Sequence, residues 1–184
     1  MANSLPIFTI GYGNRSIDDF VSILNENRIT FLVDVRTSPY SQYKPEFSKE
    51  ALAARLYDCE IQYVFLGNEL GGKPASTDCY VEGKVDYALL NQKAFYKRGI
   101  DRIVAAHEDD QRLALMCSES KPEECHRSKL IGVTLAERGI PLAHLDEKGE
   151  ARTQDEVIAR ITGGQLDLFG APSFTSRKRY GENS

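Results

Sequence analysis

Two kinds of apolar pattern alternate along this chain. Short, nearly unbroken apolar runs recur at Ile7 to Tyr12, Ile29 to Val35, Ile61 to Leu66, Leu113 to Cys117 and Ile140 to Leu145. Runs of this length, apolar on both faces of the pleat, read as strands buried on both sides of a parallel sheet. Between them the period changes. Ile17, Phe20, Val21 and Leu24 repeat at i, i+3, i+4 and i+7, the stripe of a helix running to about Arg28. Ser16 stands before it as an N-cap, and Asp18 and Asp19 lie in the first turn, where the helix dipole favours negative charge.

The same spacing predicts further helices. One starts at Ser48 with Leu52, Leu56 and Cys59 as its inner stripe; another runs from Asp86 to about His107, with a break near Gly99. A third spans about Glu124 to Arg138 and is closed by Gly139; the last opens on a capping box, Thr153 with Glu156, and ends at Gly163 and Gly164. The stretch GNELGGKPAST, from Gly67 to Thr77, reads as a glycine-rich loop, and residues 78–83 carry no pattern. Strand and helix alternate with short connections. This predicts a single three-layer α/β domain over residues 5–162: a mostly parallel five-stranded sheet, Rossmann-like, with helices on both faces and right-handed crossovers. Residues 163–184 form a tail.

In such a sheet ligands bind outside the carboxyl ends of the strands, and three apolar runs end in polar or glycine residues there. Gly11, Tyr12 and Gly13 follow the first run; the glycines let backbone approach a ligand, although GYGN is not the GxGxxG dinucleotide fingerprint, and no GxxxxGK[ST] phosphate loop is present. Asp34 and Arg36 end the second run and, two residues apart, share a face. Asp34 would act as a base or orient Arg36, and Arg36 would clamp a phosphate or carboxylate. The fourth run leads into Cys117, Glu119, Cys125, His126 and Arg127. Cys125 stands where a helix begins, so free N–H groups, the dipole and Arg127 would favour a thiolate or a bound anion.

For Cys117 three roles are open: nucleophile, redox partner of Cys125, or metal ligand with Cys125 and His126. A cysteine between strand and helix is similar to the phosphate loop of cysteine phosphatases and sulfurtransferases, but that loop needs an Arg where this chain has Glu123. Cys-x7-Cys-His supplies three ligands where a structural zinc site wants four, so no metal or other cofactor is expected. Gly71, Gly72 and Lys73 are placed to act as a lid or a plain turn. Tyr40, Tyr43, Lys44 and Phe47 form a loop able to stack on bases or to pack on the neighbouring helix. His107 and His144 fall within apolar patterns and read as core or surface histidines.

Composition narrows the classes. The chain has 184 residues, 41% hydrophobic and 27% charged, with a net charge of −4. No global basic field draws it to nucleic acid, so any such contact needs a local patch. No apolar run is long enough to span a bilayer, and no basic segment followed by an apolar run marks a leader. A cytoplasmic location without membrane contact is the expectation. The four cysteines are then thiols or ligands rather than structural disulfides.

Taken together, GYGNRSIDDF, LVDVRTSPYSQYKPEF, IQYVFLGNELGG and LMCSESKPEECHRSKL resemble the prokaryotic domain-of-unknown-function family 488, in the same order from Ile7 to Leu145. That family often has His where this chain has Tyr12, and Arg near Tyr40. The resemblance implies a compact α/β domain with a rim site built from Asp34, Arg36, Cys117, Glu119, Cys125, His126 and Arg127; it implies no reaction. Separately, Gln165, Leu166, Asp167, Leu168 and Phe169 resemble the QLxLF peptide that docks on the DNA sliding clamp, with Gln165, Leu166, Leu168 and Phe169 as anchors. Three functions follow as expectations. The first is an enzyme acting on a phosphate-bearing nucleotide or nucleic acid, with Asp34, Cys117, Glu119 and Cys125 as catalytic candidates and Gly11, Tyr12, Arg36, His126 and Arg127 holding substrate. A DNA-repair link belongs to this enzyme reading; the others are a non-catalytic module recruited to the clamp and a cysteine-based redox or metal sensor.

Overall fold

The computed structural model of the chain describes residues 5–164 and 174–180. In chain order the elements are β1 (Ile7–Gly11), α1 (Ile17–Glu26), β2 (Phe31–Asp34), α2 (Lys49–Tyr57), β3 (Gln62–Phe65), α3 (Gly67–Leu70), β4 (Tyr80–Val81), β5 (Lys84–Val85), α4 (Tyr87–Asn91) and α5 (Ala94–Glu108). They continue as β6 (Leu113–Cys117), a π-helical stretch Arg127–Gly132 that runs into α6 (Val133–Glu137), β7 (Leu142–Leu145), β8 (Ala151–Arg152) and α7 (Gln154–Thr162). The main sheet has the order β3-β2-β6-β1-β7-β8. Its first five strands are parallel, and β8 is antiparallel to β7. β4 and β5 form a separate hairpin.

Burial on both pleat faces explains the continuous apolar runs. Ile7, Val33, Leu113 and Leu115 enter one core with Leu70, Leu90, Ile100 and Leu135 from α3 to α6. Phe8, Leu32, Ala114 and Met116 enter the other with Phe20, Leu24, Leu52 and Leu56 from α1 and α2. The division of helices follows from strand order. β1 to β2 and β2 to β3 step one way across the sheet, whereas β3 to β6 and β6 to β7 step the other way. Crossovers of one hand then put their helices on opposite faces. This is the three-layer α/β arrangement expected, with helices on both faces.

Several local expectations are corrected. The sheet has six strands rather than five: Asp146 Oδ1 accepts from the backbone N–H of Lys148 and Glu150, Gly149 takes a positive φ of 82°, and the turn brings Ala151–Arg152 back beside β7. A two-residue strand of Ala and Arg is too short to carry an apolar pattern. The break in the long helix falls at Gln92–Lys93, not Gly99. Gly99 instead lets α3 pack closely, because a Cβ there would lie 2.7 Å from Glu69 Cβ. The segment read as a glycine-rich loop opens with the short helix α3.

The helix after β6 begins at Arg127 rather than Glu124, and its first turns are π-helical. A reason is visible: the Ser128 carbonyl accepts from Gln154 Nε2 at 3.0 Å, so a side chain supplies the bond that a regular turn would supply from backbone. π turns are rare and collect at functional sites. The capping box forms as read, with Thr153 Oγ1 accepting from Glu156 N–H, and it fixes α7 and hence Gln154. Residues 174–180, assigned to the tail, pack on the domain: Tyr87 N–H donates to Phe174 O and Ser176 N–H to Val85 O. Gln165, Leu166, Leu168 and Phe169 lie outside the described residues. Among the described residues no helix is long and apolar enough to cross a membrane.

Candidate functional site

Strand order decides what meets at the rim. β6 lies between β2 and β1, so Cys117 pairs in register with Gly11 on one side, and Met116 pairs with Asp34 on the other. Backbone bonds carry the register past the strand ends: Tyr12 N–H donates to Cys117 O and Val35 N–H to Met116 O. The three stretches separated in sequence by up to a hundred residues therefore converge.

Above β6 lies a cluster of two sulfurs and one imidazole. Cys117, Cys125 and His126 place Sγ, Sγ and a ring nitrogen within 4.8 Å of one another. His126 Nδ1 lies 3.9 Å from Cys117 Sγ and 3.6 Å from Cys125 Sγ. Its other nitrogen, Nε2, lies 3.1 Å from the Val35 carbonyl. A carbonyl only accepts, so Nε2 carries a proton and Nδ1 faces the sulfurs. Gly72 covers the ring: a Cβ there would fall 2.9 Å from Nδ1.

The two thiols differ, and in the opposite sense to the sequence expectation. Cys117 is held well below the ordinary thiol range by the hydrogen bond from Cys125 and by the His126 ring, against the cost of burial. Burial pushes Cys125 well up, and the neighbouring Cys117 charge adds to it. Cys125 does sit at a helix start, accepting from Arg127 N–H at 3.4 Å, but the stabilised thiolate is Cys117. Burial opposes charge on His126; the Cys117 sulfur outweighs it and raises the imidazole above its usual value. The Cys117 sulfur and the His126 ring thus stabilise one another's charged forms.

Asp34 is wholly buried and orients rather than faces the cavity. Its oxygens accept from Arg36 Nε at 2.9 Å, Arg36 Nη2 at 2.6 Å and Tyr63 Oη at 2.6 Å. Arg36 Nη2 also donates to Phe47 O at 2.9 Å, and the guanidinium lies over the Tyr12 ring, which stacks on Phe47. The Asp34 bond raises Arg36 against its burial, so the group is a fixed cation. Nη1 has no hydrogen-bond partner.

Arg127 is also wholly buried, but beneath the site. Nη2 donates to Ser120 O at 3.0 Å, whereas Nε and Nη1 have no partner. It is not among the residues lining the cavity, and desolvation lowers its pKa. Gly11 is needed for the protein's own backbone: a Cβ there would overlap the Glu119 carbonyl and crowd Arg127 Nη1. Glu119 lines the cavity and pairs with Arg177 at 3.4 Å; Glu124 pairs with the same guanidinium at 3.2 Å.

The cavity holds about 260 Å³. Cys117, Cys125, His126, Arg36, Tyr12 and Glu119 line it, joined by Lys73, Tyr87, Ser176, Lys178 and Tyr180. Sequence reading missed Tyr87 and Ser176, which have no motif. The basic run at 177–179 and the Gly71–Lys73 turn were visible in sequence, but their place at this cavity was not. In the turn, Lys73 N–H donates to Thr37 Oγ1 at 2.9 Å and Lys73 Nζ lies over the Tyr180 ring. Of the aromatic loop, Phe47 is buried, while Tyr40 is exposed and reaches the cavity.

A second buried histidine, His144, is joined to the π turn through Gln154. Gln154 Nε2 donates to Ser128 O, so Gln154 Oε1 must accept from His144 Nε2, 2.6 Å away. His144 Nδ1 then accepts from Thr9 Oγ1 at 2.7 Å. Burial lowers this histidine to about 4, and it is neutral.

Residues 16–134 match the family described as domain of unknown function DUF488, and the chain belongs to it. No curated protein and no solved structure matched the chain.

Proposed function

We propose that the protein is an enzyme acting on a phosphate-bearing substrate, a nucleotide or a nucleic-acid end, bound outside the carboxyl ends of β1, β2 and β6. Arg36 carries this proposal. Its guanidinium is locked by Asp34 and the Phe47 carbonyl, and the residue lines the cavity that holds Cys117. A fixed cation in the cavity wall suits an anionic oxygen, and it needs no reorganisation when charge develops. Lys178 and the exposed ring of Tyr40 border the same space and suit a phosphate joined to a flat base. Glu119 and the Cys117–Cys125–His126 cluster are the reacting groups; Asp34 positions Arg36.

The test is turnover and saturable binding across a panel of nucleotides and terminally phosphorylated oligonucleotides. Arg36→Lys keeps the charge and loses the fork, and should raise KM about tenfold. If no phosphate-bearing compound is bound or turned over, the proposal is wrong.

Recruitment to the sliding clamp is a second proposal. What supports it is the likeness of Gln165–Leu166–Asp167–Leu168–Phe169 to the QLxLF peptide. Deleting residues 165–169 should abolish capture by immobilised clamp; undiminished capture would remove the idea.

A further inference from the structure

We infer that Cys117, Cys125 and His126 form a three-ligand zinc site whose fourth position opens into the cavity. The two nitrogen–sulfur distances fit before any metal is considered. Zn–S bonds of about 2.3 Å and a Zn–N bond of about 2.0–2.1 Å, set at the tetrahedral angle, hold sulfur and nitrogen about 3.6 Å apart. His126 Nδ1 lies 3.6 Å from one sulfur and 3.9 Å from the other. No pair among the three ligand atoms exceeds 4.8 Å.

Each ligand also has the outer partner that metal ligands characteristically have. The Val35 carbonyl holds His126 Nε2–H, so Nδ1 is the nitrogen turned to the sulfurs, as ligation requires. The Arg127 N–H points at Cys125 Sγ, and the Glu119 N–H at Cys117 Sγ. Gly72 lies against the ring and keeps it from turning. Among the described residues this is the only group of three such side chains close enough to share an ion.

The ligand set selects the metal and its role. Two soft sulfurs and one imidazole favour zinc over magnesium or calcium. Three protein ligands with an open position is the pattern of catalytic rather than structural zinc, and all three residues line the cavity. Any proton still on a thiol, and the Nδ1 proton of a charged His126 ring, pass to solvent as the sulfurs and Nδ1 take the metal. The open position would take water or an anionic oxygen of the substrate. The sulfurs would then be ligands and not nucleophiles. The site concerns the same cavity as the proposed enzyme but does not depend on the phosphate assignment.

The full-length, reduced protein is titrated with zinc against a chromophoric chelator, and separately with cobalt(II). Stoichiometric zinc is expected, and cobalt should give sulfur-to-metal charge-transfer absorption with the intense visible bands of a tetrahedral site. Cys117→Ser, Cys125→Ser and His126→Ala should each weaken zinc by more than the ~10–100-fold seen when only an outer partner is lost; Cys59→Ser should leave it unchanged. Substoichiometric zinc at saturation, or cobalt without the sulfur band, overturns the site. Both readings use the unmutated chain, so variants that fail to fold cannot obscure the result. Zinc bound without turnover of any phosphate substrate keeps the site and removes the proposed reaction; turnover by a metal-free protein does the reverse.

Discussion

His126 and His144 are both buried, and both lie against the π-helical turn at Arg127–Gly132, yet they are opposite kinds of site. His144 has each nitrogen matched to one neutral partner, Thr9 and Gln154, in a chain that ends on a backbone carbonyl. Nothing is left over, and burial holds the ring neutral at about 4. His126 spends one nitrogen on a carbonyl and turns the other toward two sulfurs and a cavity. There the same burial is outweighed by a sulfur charge, and the ring's pKa rises. Burial alone does not decide what a histidine does; the unspent valence of its neighbours does.

The largest expected effect separates the two sites by stability. His144→Ala leaves Thr9 Oγ1 and Gln154 Oε1 without partners in a closed interior and should cost about 4 kcal/mol in urea unfolding. His126→Ala borders a cavity that water can enter and should cost about 1 kcal/mol. Equal losses would break the comparison.

Acid should act through His144 next. Its folded pKa of about 4 lies below the unfolded value of 6.5, so the unfolded chain binds more protons between those values. Stability is therefore full above pH 6.5 and falls toward pH 4, by about 3 kcal/mol at the lower end. A pH series of unfolding curves shows whether His144→Phe removes this limb; a limb of undiminished size would assign it elsewhere.

Gln154→Ala should cost about 2 kcal/mol, because it frees both His144 Nε2–H and the Ser128 carbonyl. Hydrogen exchange should quicken across 127–132 and leave α1 unaffected. Chemistry should dominate at the other histidine. In chelator-treated protein at neutral pH, His126→Ala should slow alkylation of Cys117 about tenfold, since the ring helps hold that thiol below its ordinary range. The smallest effect is Thr153→Ala, about 1 kcal/mol, through loss of the cap that fixes α7 and Gln154.

Much of this scaffold was legible along the chain. The five parallel strands carry continuous apolar runs because both their faces are covered, and Ser16 and Thr153 cap α1 and α7 as their spacing implies. β8 was not legible, since its two edge residues owe their conformation to the Asp146 turn. The helix break was misplaced because Gly99 marks close packing against α3, and glycine has both meanings in sequence. At the site, the residue types at the strand ends were visible, but their ranking was not. Arg127 looked like an anion holder and does not line the cavity; Cys125 looked like the favoured thiolate, whereas the neighbours of Cys117 lower its pKa and burial raises that of Cys125.

The sequence by itself determined the layered α/β scaffold, the family and the three stretches that end at one rim, because hydrophobic period and caps act over a few neighbours. Only the tertiary structure decided that β6 inserts between β2 and β1, bringing Gly11, Asp34 and Cys117 side by side. It alone turned Nδ1 of His126 toward two sulfurs, and it alone spent Asp34 on Arg36. Those outcomes depend on which carbonyl or carboxylate a side chain reaches across long sequence separations, and hydrogen bonds of that kind leave no periodic trace in the chain.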